Sequence, residues 1–320
     1  MTEADFAGQL PPRTYGQTGL QVTSICIGCA PLGDMPATFQ YSVPEDQALE
    51  TIRAVFNSPI NFIDTAASYG DGESERRIGL VIKEMGGLPP GVVLGTKADR
   101  DLHTGDFSGG QMRRSVERSL RLLGLERLQI VYLHDPEHTT FELATAKGGP
   151  VEVLLQLKSE GLIDHLGLAG GPIDLMRRYN DLGVFEAIIT HNRYTLLDRT
   201  AGLYLDQADG FGQGVSNAAP YGSGILAKGP DAYPRYMYSA ANAAQVERTR
   251  QIQAACEGYG VPLAAAALQF SLRDPRVHTT IIGMSRPERI PQTLTLAAHP
   301  IPDELWTQLD SLIAPEGGMI

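Results

Sequence analysis

Short apolar runs alternate along the chain with longer stretches in which apolar residues return every three or four positions. Eight of the runs read as strands, at 24–28, 61–64, 92–96, 129–133, 165–169, 187–190, 214–217 and 279–282. They are mostly continuous in apolar character and do not strictly alternate, which is the pattern of strands buried on both faces of a parallel sheet. The intervening stretches predict helices at 44–56, 73–84, 108–123, 150–159, 172–179, 243–257, 263–272 and 304–313. Within 108–123, Met112, Val116, Leu120 and Leu123 mark one face, and Gly124 follows where a left-handed cap is easiest. Pro172 is expected near the first turn of its helix, where a missing N–H costs nothing.

Strand–helix alternation along the whole chain predicts an α/β fold. Eight such units in 320 residues, with no linker and no block of charge, predict one closed (β/α)8 TIM barrel, a single domain over residues 1–320. An open doubly wound sheet usually carries a glycine-rich turn after its first strand, but Gly28-Cys29-Ala30-Pro31 stands there. Residues 13–23, with Tyr15-Gly16-Gln17-Thr18-Gly19, predict a short N-terminal β-hairpin ahead of the barrel. Two connections, 99–107 and 222–242, are longer than a plain barrel needs. Long loops after barrel strands are where substrate pockets form.

Composition narrows the partners. Apolar residues make up 42% of the chain, enough for a large core. A formal net charge of −11 argues against a nucleic-acid partner, because phosphate binding needs a basic face. No apolar run reaches the ~18 residues of a membrane span. Residues 1–10 carry Glu3 and Asp5 and no basic segment, so a cytoplasmic protein is expected and a secretory leader is not. Cys26 and Cys29 have the spacing of half a metal site, but no second Cys or His pair follows nearby. With Cys256 they are expected to be small buried side chains, and no metal is expected. Monomer and homo-oligomer both stay open.

Four polar residues stand at or just past the carboxyl ends of three successive candidate strands: Asp64, Tyr69, Lys97 and His134. In a barrel those ends share one mouth. A free phenol has a pKa of about 10, too high for ready proton exchange at neutral pH. An ammonium beside it is expected to lower that value, and a carboxylate keeps the ammonium charged in a dry pocket. His134 can hydrogen-bond a substrate oxygen and hold the reacting carbon in place. Singly, each residue has a plainer reading: Asp64 as a helix cap, Tyr69 as packing, His134 as a core histidine. Lys97 alone could lie on the surface or serve as the Schiff-base amine of an aldolase. The four types in this order on one face point to proton transfer at a carbonyl or carbinol.

Ile60-Asn61-Phe62-Ile63-Asp64-Thr65-Ala66, with Tyr69-Gly70 and Ser74-Glu75, resembles the signature of the aldo-keto reductase family around its catalytic aspartate and tyrosine. Thr96-Lys97 and His134-Asp135 resemble its lysine and histidine motifs, and Thr18-Gly19-Leu20-Gln21-Val22 its N-terminal hairpin. The resemblance runs over nearly the whole chain. It implies a catalytic tetrad of those four residues and a nicotinamide cofactor held without a Rossmann domain. Tyr132-Leu133-His134-Asp135-Pro136-Glu137, Arg193-Tyr194-Thr195-Leu196-Leu197-Asp198, Ser223-Gly224-Ile225-Leu226, and Ala266, Leu268, Gln269 and Phe270 are similar to the aldose 1-dehydrogenase branch. Its L-fucose, D-threo-aldose and L-galactose dehydrogenases oxidise the anomeric hydroxyl of a sugar to a lactone, and a pyridoxal-oxidising enzyme is a neighbour. The resemblance therefore implies an NAD(P)-dependent oxidoreductase with a small-molecule substrate, a sugar. The alternatives are a general aldehyde or ketone reductase, a pyridoxal-type enzyme, or a cofactor-sensing regulatory subunit without turnover.

The cofactor is expected along Gly28, Cys29 and Asp64, and along two loops. Tyr221, Gly222, Ser223 and Gly224 follow the seventh strand, where small residues and free backbone N–H groups suit a pyrophosphate. Gly283, Ser285, Arg286 and Arg289 follow the eighth and lead into a helix, a natural anion site, or else a polar helix start with surface arginines. Arg289 stands where the family often binds a 2′-phosphate, which favours NADP. Gly283 replaces the lysine common just before it, and Gln292 and Thr293 replace the usual adenine contacts. The balance is NADP or NAD, with NADP slightly ahead. Ala169-Gly170 replace the Ser-Asn pair that grips the nicotinamide amide in many members, so His191 or Asn192 is expected to supply that bond. Ala218 replaces the ring-stacking tyrosine, leaving Tyr221 to stack. The wall near Cys29-Ala30 lacks a large aromatic, and the one tryptophan, Trp306, lies far downstream, so an open polar pocket with few aromatics is expected.

Overall fold

In a computed structural model, residues 12–313 and 318 are described. Strands β1 (Arg13–Thr14) and β2 (Gln21–Val22) pair as the antiparallel hairpin. The barrel follows with β3 (Ile25–Gly28), β4 (Phe62–Asp64), β5 (Val93–Ala98), β6 (Leu128–His134), β7 (Ile163–Ala169), β8 (Ala187–His191) and β9 (Gly214–Ala218). A two-stranded ribbon, β10 (Arg235–Tyr236) and β11 (Ser239–Ala240), precedes the last barrel strand, β12 (Thr279–Gly283). Neighbours pair in parallel, and β12 sits between β9 and β3 to close the ring.

All eight expected strands form, each within two residues of the expected ends. Their lack of alternation has a direct cause. Cys26, Phe62, Ile130, Tyr132 and Ile189 belong to one buried cluster, while Ile27, Ile63, Val131, Leu133 and Ile188 on the opposite faces belong to another that includes the helices. β5 and β6 extend past their expected ends, so Lys97 pairs with Tyr132 and His134 with Ala169 inside the ladder. Strand hydrogen bonds, not loop conformation, therefore fix the backbone of both residues.

The hairpin closes the amino end of the barrel. Tyr15 is fully buried, its hydroxyl hydrogen-bonded to Tyr132 at 3.0 Å and Ser216 at 2.7 Å. Its ring needs the space left at Gly214, where a Cβ would come within 2.6 Å of it. The carboxyl end is thus the open one.

The expected helices are present, among them Glu45–Phe56, Glu73–Glu84, Gly109–Leu123 and Leu263–Leu272. Ser108 caps the third by accepting a hydrogen bond from Gln111 N–H. Pro172 lies just ahead of helix Ile173–Asn180 and not in its first turn. Helix Gly202–Gly210 and several one-turn helices, including Pro36–Phe39 and Ile225–Lys228, are not announced by periodicity. Cys26, Cys29 and Cys256 are buried and unpaired. Among the described residues no His, Cys, Asp and Glu cluster could hold a metal, and no helix is long and apolar enough to cross a membrane.

Candidate functional site

At the open end, β4, β5 and β6 bring Asp64, Lys97 and His134 together, and the connection after β4 carries Tyr69 back over them. Lys97 Nζ donates to Asp64 Oδ2 at 2.7 Å, to the Thr65 carbonyl at 2.7 Å and to Tyr69 Oη at 3.1 Å. All three ammonium protons are then used. Burial pulls the lysine pKa down, but Asp64 and Tyr69 more than reverse this and hold it above the usual value. An ammonium engaged by three acceptors is a poor Schiff-base nucleophile, which weighs against the aldolase reading. Burial raises the Asp64 carboxyl, opposed by Lys97.

Lys97 pulls the Tyr69 pKa down as expected, but it does not set the net direction. Burial lifts the phenol above its ordinary value, and Lys97 offsets only part of that rise. The ammonium is already shared with Asp64, whose own charge pushes the phenol further up. Gly70 sets the loop: its φ is +63°, and a Cβ there would come within 1.9 Å of the Gly33 carbonyl oxygen. Ser74 Oγ donates to the Cys29 carbonyl at 2.9 Å and Thr96 Oγ1 to Glu75, so this part of the motif ties helix Glu73–Glu84 to the barrel.

His134 stands beside Tyr69, ring edge to ring face at 6.0 Å. Its Nδ1 lies 2.7 Å from Asp99 Oδ1, and Asp99 Oδ2 accepts the Ser68 N–H at 2.9 Å. Asp99 thus links the histidine to the tyrosine loop. Sequence reasoning missed it, although Lys97 and Asp99 sit two apart at a strand end and so face the same way. Burial alone would lower the His134 pKa; Asp99 and Asp135 outweigh it and raise it. Asp99 is lowered despite its burial, chiefly by His134.

A cavity of 520 Å³ opens over these groups. Of the residues expected to hold cofactor, Gly28, Asp64, His191, Tyr221, Ser223, Gly224, Gly283 and Arg289 line it. Cys29, Asn192, Gly222, Ser285 and Arg286 are not part of that lining. Gly222 N–H donates to the Ala219 carbonyl and Gly224 N–H to that of Tyr221, so neither amide is free for a phosphate as expected. The Ser285 carbonyl accepts from Gln47 Nε2 at 2.6 Å. The Asn192 carbonyl accepts from Tyr236, and its side-chain oxygen faces Ser223 Oγ at 3.4 Å. Burial pushes His191 down to about 4; Asp135 opposes this, while His134, Arg193 and Lys97 reinforce it. The ring is neutral at pH 7.

The expectation of few aromatics fails. Phe39, Tyr41, Tyr221, Tyr233 and Tyr238 line the cavity with Tyr69. Phe39 and Tyr238 meet edge to face at 6.3 Å, joining the segment after β3 to the β10–β11 ribbon. Met237 and Tyr238 both have positive φ, 49° and 64°, as a tight two-residue hairpin turn requires, and this turn delivers the Tyr238 ring. The cavity suits a nicotinamide dinucleotide. Gly28, Gly224 and Gly283 present no side chain to it, and among the described residues the buried Tyr221 hydroxyl has no hydrogen-bond partner and Arg289 no carboxylate partner.

Comparison with known proteins agrees in outline. The model of the aldo/keto reductase family matches residues 24–314. A D-threo-aldose 1-dehydrogenase from a Pseudomonas species is 31% identical, covering 91% of this chain and 94% of that one. A pyridoxal 4-dehydrogenase from Microbacterium luteolum is 30% identical over 93% and 96%. The L-galactose dehydrogenase of Arabidopsis thaliana is 28% identical over 95% and 94%. Among solved structures, an aldo-keto reductase from Bacillus halodurans in its holo form superposes with a TM-score of 0.79 at 22% identity, over 95% and 97% of the two chains, a likeness of fold.

Proposed function

The chain belongs to the aldo/keto reductase family, and from that premise we propose that it is an aldose 1-dehydrogenase, moving hydride from the anomeric carbon of a sugar to NADP or NAD and releasing the lactone. In coarser terms it is an NAD(P)H-linked oxidoreductase of sugars or aldehydes. The observation that carries the reading is the chain Asp64–Lys97–Tyr69, with contacts of 2.7 and 3.1 Å, beside His134 at the mouth of the barrel.

The bound nicotinamide supplies the hydride acceptor or donor. Tyr69 Oη takes the substrate hydroxyl proton in oxidation and returns it in reduction. The Lys97 hydrogen bond is stronger to a phenolate than to a phenol, so it favours the deprotonated stage that burial opposes. Asp64 keeps Lys97 charged. His134 spends Nδ1 on Asp99 and turns Nε2 to the substrate oxygen. With the cofactor bound, His191, lining the cavity as Asn192 does not, would bond the nicotinamide amide, Tyr221 would stack on its ring, and Arg289 would take a phosphate, which favours NADP.

Ser68, Arg100 and Asp135 share the cavity with Phe39 and Tyr238. Polar groups for hydroxyls and rings for C–H faces suit a sugar better than a bare aldehyde. The test is reduced cofactor formed from L-fucose, L-galactose and D-arabinose with NADP or NAD, against reduced cofactor consumed with simple aldehydes, and against pyridoxal. Turnover confined to the simple aldehydes or pyridoxal overturns the sugar reading. Tight cofactor binding without any turnover points instead to a regulatory subunit.

A further inference from the structure

Asp135 is a charge that the proton-transfer chain does not use. It follows His134 directly, yet its backbone turns into the left-handed region at φ 43° and ψ 53°, uncommon for a residue with a side chain. Its N–H still donates to the Ala169 carbonyl at 2.7 Å, and Pro136 starts a short 3-10 turn immediately after it. The ladder and the turn hold this conformation in place.

The result is a carboxylate on the cavity wall. Asp135 Oδ1 lies 3.6 Å from His134 Nε2, beyond hydrogen-bond length. Its side chain is 30% exposed, and among the described residues no lysine or arginine pairs with it. It is not needed to orient His134, because Asp99 holds the other ring nitrogen at 2.7 Å. Its acceptor sites remain available to whatever enters.

We propose that Asp135 accepts a hydrogen bond from the hydroxyl on the carbon adjacent to the reacting one, and so selects 2-hydroxy aldoses over 2-deoxy sugars and plain aldehydes. This rests on the sugar reading above. A substrate oxygen bound at His134 Nε2 lies ~3 Å from that nitrogen, and a neighbouring gauche hydroxyl lies about one further hydrogen-bond length away. With Asp135 3.6 Å from the same nitrogen, the second hydroxyl falls within its reach. A carboxylate only accepts, so a methylene in place of that hydroxyl leaves it desolvated and unpaired. Sites built to bond a hydroxyl reject the analogue lacking it strongly for this reason. Arg100, on the same wall and without a carboxylate partner among the described residues, is a donor for the next hydroxyl along.

The experiment compares kcat/KM for the best aldose and its 2-deoxy form in the wild type, Asp135→Ala and Asp135→Asn. The wild type should prefer the hydroxylated sugar by roughly 10- to 100-fold. In Asp135→Ala the parent sugar should fall further than the 2-deoxy form, so the ratio collapses towards one. Asp135→Asn, whose amide oxygen still accepts, should keep part of it. If Asp135 acted only through the charge of His134, both substrates would fall together; an unchanged ratio in both variants overturns the proposal. Lost NADP binding in both variants, read by protein fluorescence, would assign Asp135 to the scaffold and overturn it too. In either case aldose turnover by the wild type leaves the sugar reading standing. A wild type that turns over aldehydes but no aldose overturns both.

Discussion

Asp99→Asn separates charge from shape at the His134 end of the site. The carboxylate now accepts from two donors, His134 Nδ1 at 2.7 Å and Ser68 N–H at 2.9 Å. An amide of the same shape accepts from Ser68 N–H through its oxygen, and its NH2 can then only donate to His134, which requires the tautomer with a bare, accepting Nδ1. The loss is the charge assistance of a buried hydrogen bond, about 1–2 kcal/mol of folding free energy. The pH dependence follows from the directions of the shifts. His134 is raised in the folded state, so its contribution is complete below its unfolded pKa of about 6.5 and fades as pH rises through the folded value. Asp99 is depressed, so its contribution is present above its unfolded pKa of about 3.9 and fades as pH falls through the folded value. The variant should therefore lose most stability between those limits. Because Nδ1 donates to Asp99, Nε2 bears a proton only in the imidazolium form. Without the carboxylate, burial and Lys97 pull His134 down, opposed only by Asp135. In the variant the neutral ring, with Nδ1 accepting from the amide, carries its proton on Nε2, so the alkaline limb that His134 sets in kcat/KM for reduction should flatten. Urea unfolding and rate–pH profiles measured side by side decide the matter. A limb and a stability profile both unmoved would refute the coupling.

Three further outcomes are expected. Tyr69→Phe should lower turnover by about 10²–10⁴-fold and leave the cofactor dissociation constant, read by fluorescence titration, nearly unchanged; retained turnover would remove Tyr69 from the reaction. Lys97→Met strands the Asp64 carboxylate in a buried site and should cost about 3–5 kcal/mol in denaturant unfolding. Adding Asp64→Asn should restore much of that, and strict additivity would contradict the pairing. Tyr15→Phe removes a hydroxyl bonded to Tyr132 and Ser216 at the closed end, and should cost about 1–3 kcal/mol with kcat unaltered; a fall in kcat would show coupling between the two ends.

What the sequence determined by itself is what local order can encode. A strand with both faces buried is mostly apolar without strict alternation, so β3 to β9 and β12 were legible without any partner in view. Consecutive parallel strands in a closed ring end on one rim, so Asp64, Lys97 and His134 at successive strand ends had to meet. The tertiary structure decided what depends on enclosure and on contacts between distant segments. The direction of the Tyr69 shift is a contest between burial and Lys97, and no spacing of residues gives the depth of burial. The aromatic wall arises because Phe39 and Tyr238, far apart in the chain, fold over the same opening. The loop amides expected for phosphate are consumed by turns at Gly222 and Gly224 that only the folded backbone reveals. Asp99 belongs to the site because strand β5 ends where the His134 ring lies, a matter of three-dimensional register between neighbours.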